Sequence, residues 1–193
     1  MDKHRDAQFF VEAKQVIEYL KEEKIGAICI SIGPGMFTAL RVGLSLGKGL
    51  AFAQNIPVVA VNTLDIIGIP MAFLQYPILA VINAYHEEIY AALYKQGKRV
   101  SDYLLTTPKE VGKIIKGKTL VLGSGIEVFR KFRISDSKYY FMDNDFLLPT
   151  ASKVISIALP RIYDRNFDKL ENLEPFYIKK TDAERNYDQV NAF

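Results

Sequence analysis

The chain has 193 residues, 49% of them hydrophobic, which is enough for one or two small domains with a core of their own. Its 25 basic and 22 acidic residues leave a formal charge of +3, spread along the chain without a run of five like charges, so composition gives little support to a dedicated nucleic-acid surface. A single cysteine, Cys29, excludes an intrachain disulfide and a cysteine metal cluster.

In chain order, Asp6 to Glu23 carries Phe9, Phe10, Ala13, Val16, Ile17 and Leu20 at spacings of three and four, which predicts an amphipathic helix with Asp6 as its N-cap. Ala27 to Ile32 is a short run rich in branched residues and reads as a buried parallel strand. Gly33-Pro34-Gly35 breaks it, and Thr38 to Gln54 reads as a helix ended near Asn55 and Pro57. The next strand is Pro57 to Val61, which completes a right-handed βαβ unit with the glycine turn at the carboxyl edge of the sheet. Asn62 or Thr63 caps a third helix running toward Gly68 and Phe73. Ile78 to Ile82 and Glu88 to Leu93 pair as a hairpin around the polar Asn83 to Glu87. Thr119 to Leu122 is a further strand before Gly123-Ser124-Gly125, and Ala151 to Tyr163 is a late helix. Glu174 to Lys180 is expected to form an ordered edge segment followed by a polar tail. Charged Met1 to Arg5 leads into no signal core, and every apolar stretch is interrupted before the roughly 18 residues that a membrane span needs, so a cytoplasmic protein with no membrane contact is expected.

Glycines that join a strand to a helix permit positive φ or close backbone approach, and the free amides of a helix start attract anions. Gly33 and Gly35 are therefore candidate anion-binding residues, with a tight packing turn as the favoured reading on spacing alone. The P-loop pattern is absent, because Ala39 and Leu40 stand where its Lys and Ser/Thr would be, and Thr38 replaces the last glycine of the dinucleotide pattern. Gly43 and Gly47 lie four apart with Gly49 beside them. A glycine costs roughly 1 kcal/mol against alanine inside a helix, so close packing by another helix, internal or from a partner, is the expected compensation.

Gly33-Pro34-Gly35-Met36-Phe37-Thr38-Ala39-Leu40-Arg41-Val42-Gly43 resembles the GPGSFTGLRIG signature of the TsaB (YeaZ) family, departing at Met36 and Ala39. The likeness continues through Lys48-Gly49-Leu50-Ala51 (KGLA), Ile56 to Leu64 (IPVVGVSTL), Ile82 to Tyr90 (IDARRGEVY), Leu148-Pro149-Thr150-Ala151 (LPxA) and Glu174 to Lys180 (EPxYLR), with His4 at the family's helix-opening histidine. It implies an α/β fold of the actin-like, sugar-kinase-like (ASKHA) class in a small two-lobed version, with lobes at 1–75 and 76–193. Family members open with an apolar LAIDTS-like strand and hairpin that has no counterpart before His4, so either the sequence starts late or the sheet is short of its first strands.

The resemblance also implies a scaffold that binds a TsaD-like transferase, joined by a TsaE-like ATPase, in threonylcarbamoyladenosine modification of tRNA, and a homodimer when alone. Phe10, Ala13, Ile17, Leu40, Gly43, Gly47 and Leu50 are the expected interface. No catalytic residue, metal or cofactor is assigned. His4 and His86 stand far apart, Cys29 lies mid-strand, and no G-x-S-x-G elbow or HEXXH motif occurs. Glu87, Glu88, Asp143 and Asp145 read as solvated loop acids, and Asn83 stands where relatives carry Asp. Direct contact with tRNA would fall to Lys179, Lys180 and Arg185. Two other readings remain open: an independent nucleotide-binding ATPase or kinase-like enzyme of the same fold class, and a truncated relative without function.

Overall fold

The computed structural model describes residues 14, 15, 18, 25–132, 138–142 and 149–178. Of the expected N-terminal helix, Lys14, Gln15 and Glu18 are described. They are helical and exposed, with Lys14 and Glu18 paired one turn apart at 3.9 Å. The remaining residues of that segment, including Phe10, Ala13 and Ile17, lie outside the described residues.

Two sheets make up the frame. The first is parallel and two-stranded, β1 (Ile28–Gly33) beside β2 (Val58–Asn62), joined through helix α1 (Phe37–Gln54). Asn55 ends α1 in the left-handed conformation, at φ 53°, which asparagine tolerates better than most residues. Asn62 Oδ1 then accepts from the Leu64 amide at 2.9 Å and starts α2 (Thr63–Gly68).

The second sheet has six strands in the order β5-β4-β3-β7-β8, with β6 also paired to β4. Its members are β3 (Ile78–Asn83), β4 (Ile89–Lys95), β5 (Lys98–Arg99), β6 (Leu104–Thr106), β7 (Thr119–Leu122) and β8 (Tyr139–Met142). β3 alternates between two cores. Ile78, Ala80 and Ile82 face α2 with Leu64 and Ile67, while Leu79 and Val81 face α3 (Pro108–Ile114) and α4 (Ile126–Lys131) through Val111, Val128 and Phe129.

Helix α2 joins the two units: Leu64 and Ile67 enter the core of the second sheet, and Ile66 enters the core of the first. The first sheet carries α1 on one face, through Ile30, Leu44 and Ala51, and α5 (Ala151–Tyr163) on the other, through Val59, Val61, Val154 and Ala158. The late helix, from the lobe expected at 76–193, thus packs on the first sheet. An amphipathic α5 needs an apolar sheet face, and the second sheet already has helices on both of its own, so the late helix returns to the first lobe.

Following α5, the chain closes the outer edge of β2. The Asp168 amide donates to the Val58 carbonyl at 2.9 Å, and Asp168 Oδ2 accepts from the Ala60 amide at 2.7 Å and from Arg161 at 3.0 Å. Arg161 Nη1 donates to the Ala60 carbonyl at 3.1 Å. Asp168→Ala is expected to lower stability by about 1–3 kcal/mol, because it strands an amide and a guanidinium that it now satisfies. Urea denaturation checks this, and an unchanged midpoint would contradict the arrangement.

Candidate functional site

The glycine turn opens α1 at the carboxyl end of β1. Gly33 has φ +106°, and a Cβ there would lie 2.9 Å from Leu40 Cδ1 and 3.2 Å from the Phe176 carbonyl oxygen. Gly35 is likewise in van der Waals range of Leu40. The space above the turn that glycine leaves free is therefore taken by the protein's own chain. A carbonyl oxygen there opposes an anion, so the geometry favours the packing reading of Gly33 and Gly35.

The segment that covers the turn is a strap spanning residues 173–178. Lys48 Nζ donates to the Leu173 carbonyl at 2.9 Å, and the Phe176 amide donates to the Ile32 carbonyl at 2.7 Å. Tyr177 stacks on Phe37 at 4.9 Å, and Arg41 lies over the Phe37 ring at 3.8 Å while its Nε donates to Tyr177 Oη at 2.9 Å. Phe176 meets Tyr103 edge-on, and Ile178 packs on the core of the second sheet. The expected edge segment is thus present as a strap rather than a strand. Lys179, Lys180 and Arg185 lie outside the described residues.

On α1 the glycines separate. Gly47 is buried, and a Cβ there would come within 2.4 Å of Ile30 Cδ1, so Gly47 serves contact between α1 and β1. Gly43 and Gly49 face open space. Gly43 and Gly47, expected on one face, stand about 40° apart around the helix, and the contact with Ile30 falls to Gly47. Leu40 and Leu50 are half-buried, Val42 is 44% exposed and Phe52 is 81% exposed. The outward side of α1 therefore offers Ala39, Val42, Gly43, Leu46, Gly49 and Ala53 without a charge, a second apolar face that none of the described elements packs against.

Among titratable groups, Asp65 on α2 accepts from Tyr94 Oη and from Tyr103 Oη, each at 2.7 Å. Burial, then the Asp65 charge, raises the Tyr94 phenol well above the ordinary tyrosine range, and burial with the Asp65 hydrogen bond does the same to Tyr103. A raised folded-state pKa keeps the proton when the unfolded chain loses it, so this contribution is intact below pH 10 and drains away above it. Stability is expected to fall by about 1.4 kcal/mol per pH unit above pH 10 on account of Tyr94, and Tyr94→Phe should reduce the slope in denaturation series by that share while the raised Tyr103 phenol keeps its own.

The Cys29 thiol is pushed up by burial, which disfavours the thiolate and any nucleophilic use. At the β3–β4 tip, Tyr85, His86 and Glu87 take positive φ in succession, held by Asn83 Oδ1 accepting from the Tyr85 amide at 2.8 Å. His86 and Glu87 are exposed, and among the described residues no group of three His, Cys, Asp or Glu could hold a metal ion. His4, Asp143 and Asp145 lie outside the described residues. The Arg41–Tyr177 clamp, the Asp65 pair of tyrosines and the Asp168–Arg161 edge cover escape sequence reading, because their partners stand 29 to 136 positions apart and no local pattern links them.

A family model described as TsaD, tRNA N6-adenosine threonylcarbamoyltransferase, matches residues 11–158. Over most of the chain, however, the similar curated proteins carry another name. The tRNA threonylcarbamoyladenosine biosynthesis protein TsaB of Escherichia coli is 25% identical over 82% of this chain and 73% of its own length, and the Buchnera aphidicola protein of that name is 26% identical over 79% and 73%. A transferase from Carboxydothermus hydrogenoformans is 46% identical, but over 22% of this chain and 13% of its own. The solved YeaZ structure from Pseudomonas aeruginosa superposes with a TM-score of 0.67 at 26% identity, covering 80% of this chain and 74% of that one. The α/β fold is accordingly of the actin-like, sugar-kinase-like class. No helix among the described residues is long and apolar enough to cross a membrane. The chain belongs to the family that this model describes and, within it, to TsaB (YeaZ).

Proposed function

We propose that this chain is the non-catalytic accessory subunit of a threonylcarbamoyladenosine-forming complex acting on tRNA, in which it docks onto a TsaD-like transferase through the outward face of α1. A TsaE-like ATPase joins the assembly, the tRNA is reached through it, and the chain pairs with itself when alone. A cytoplasmic location follows from the tRNA substrate.

The observation that carries this reading is the second apolar face of α1. Leu44, Gly47 and Ala51 meet the sheet, while Val42, Gly43 and Gly49 are presented outward on a helix whose only charges are Arg41 and Lys48, both tied to the strap or the helix's own aromatic ring. The relatives' shared name supplies the reaction to which the docking belongs. The kinase-like alternative draws no support from the turn, where Leu40 and the Phe176 carbonyl stand against a phosphate.

Co-purification of this chain with the TsaD-like protein of the same cell, followed by a threonylcarbamoyl transfer assay with and without it, tests the proposal. Co-elution with activity that depends on this chain is the expected result, and calorimetric titration of the isolated chain with ATP should give no saturable heat. Absence of association, or a transferase equally active without it, would overturn the reading.

A further inference from the structure

We propose that the rim of the second sheet at the amino end of β3 is an RNA-contact surface, which stacks unpaired bases on Tyr76 and Tyr140 and holds the adjoining phosphates with lysines. This rests on the reading of the complex as one that acts on tRNA, and names where the RNA meets this chain.

Strand registers assemble the rim from four separate stretches. Ile78 stands beside Tyr94 of β4 and Leu120 of β7, Lys95 beside Lys98 of β5, and Thr119 beside Tyr139 of β8. The loop before β3, the β4–β5 turn and the approaches to β7 and β8 therefore meet at one end of the sheet. Four strand spacings of about 4.8 Å make this end roughly 19 Å long.

The charge there is of one sign. Lys95, Lys98, Lys116, Lys118 and Lys138 are exposed on the rim, and residues 72–78, 94–101, 115–122 and 138–142 contain no Asp or Glu. Asp102 follows where the chain leaves for β6. Composition could not reveal this surface, because its cations come from distant stretches and meet only through strand pairing.

Aromatic rings stand among these lysines. Alternation along β8 sends Tyr139 into the core and leaves Tyr140 45% exposed, and Tyr76 is 50% exposed. Their ring centroids are 6.0 Å apart, and Lys118 Nζ lies 5.7 Å from the Tyr140 centroid. Exposed rings beside ammonium groups suit single-stranded nucleic acid, since every base offers a π-face and the cations reach the backbone. An acidic peptide would use the lysines and leave the rings idle. A duplex, whose bases are already stacked, would use the phosphate contacts alone.

Fluorescence anisotropy of a fluorescein-labelled single-stranded oligoribonucleotide of about a dozen nucleotides tests this on the full chain. Saturable binding is expected at about 50 mM salt. Tyr76→Ala with Tyr140→Ala should weaken it at least about 10-fold, while Tyr76→Phe with Tyr140→Phe, which keeps both rings, should bind within about twofold of the parent. Heparin, which has no bases, should bind the tyrosine variants and the parent alike. Lys98→Ala, Lys116→Ala and Lys118→Ala together should reduce the slope of log affinity against log salt by about 2, at roughly 0.7 per phosphate contact on a single strand. Should Tyr140→Ala not fold, Tyr76→Ala and the lysine variant decide.

A parent chain without saturable binding, or tyrosine-to-alanine variants that hold the oligonucleotide as tightly as the parent, would overturn the proposal. So would an equal loss of heparin binding, because the rings then act through the fold, or tighter binding to anionic lipid vesicles than to RNA. The result is separable from transferase docking, since every substitution lies outside α1 and co-purification should persist in each variant. RNA binding that fails while docking persists removes this surface alone.

Discussion

Gly123→Ala is expected to remove about 3–6 kcal/mol of stability, a large share of the roughly 5–15 kcal/mol that a folded protein holds. Gly123 ends β7 with φ +110°, a conformation that L side chains rarely adopt, and an added Cβ would lie 2.2 Å from the Val81 carbonyl oxygen of β3. The obstacle is backbone at the centre of the second sheet, so no rotamer change relieves it. That carbonyl also accepts from the Gly125 amide at 3.2 Å, which fixes the turn against β3. Gly125→Ala should be milder, because its nearest contact is the Val81 Cβ at 2.9 Å and its φ is the ordinary −72°. Gly117→Ala should be nearly neutral, having nothing within 4 Å. Thermal or urea unfolding ranks the three, and a Gly123→Ala variant as stable as Gly117→Ala would contradict the close approach of β3 and β7.

Gly43→Trp and Gly47→Phe are expected to fail in opposite ways. The first adds a ring in open space, so the isolated chain should keep its circular dichroism and melting temperature within a few degrees. Its affinity for the TsaD-like partner should fall at least about 100-fold, equivalent to roughly 2.7 kcal/mol, because a bulky side chain at the centre of an apolar contact prevents the surrounding residues from closing. Gly47→Phe drives a ring into Ile30 and should destabilise the monomer itself by about 1–3 kcal/mol or more. Surface-captured binding kinetics alongside melting curves separate the two effects. A Gly43→Trp chain that binds normally would remove the outward side of α1 from the interface.

Elements with a strong local signature were legible without the structure. The β1-α1-β2 unit falls within one residue of the expected bounds, because branched residues, a glycine turn and a terminal asparagine mark every junction, and α5 runs from Ala151 to Tyr163 as expected. Five short elements carried no such mark. β5 has two residues and β6 three, α3 and α4 have seven and six, and the Tyr139–Met142 strand exists through its pairing with β7 rather than through alternation. At the candidate site the glycine turn was placed correctly in chain order, but what lies over it was not readable, since Phe176 is 143 positions from Gly33 and arrives there through tertiary packing. The glycines of α1 show the same limit. A helical wheel gives relative angles but not which sector the sheet will occupy, and Ile30 decides that in favour of Gly47.

Because Asp168 and Arg161 complete β2 and Tyr177 closes on Arg41, the first sheet cannot be finished by the first third of the chain as it leaves the ribosome. The β1-α1-β2 segment must wait while more than a hundred further residues are made, with the outward groups of Val58 and Ala60 bare in the interim. At about 5–20 residues per second that interval lasts several seconds, long compared with the collapse of such a segment. The six-stranded half has no such dependence on α5 for its own two cores, and hydrogen-exchange pulse labelling during refolding should find β3, β4 and β7 protected before β1 and β2. The half of the molecule that emerges first is in this way the half that folds last.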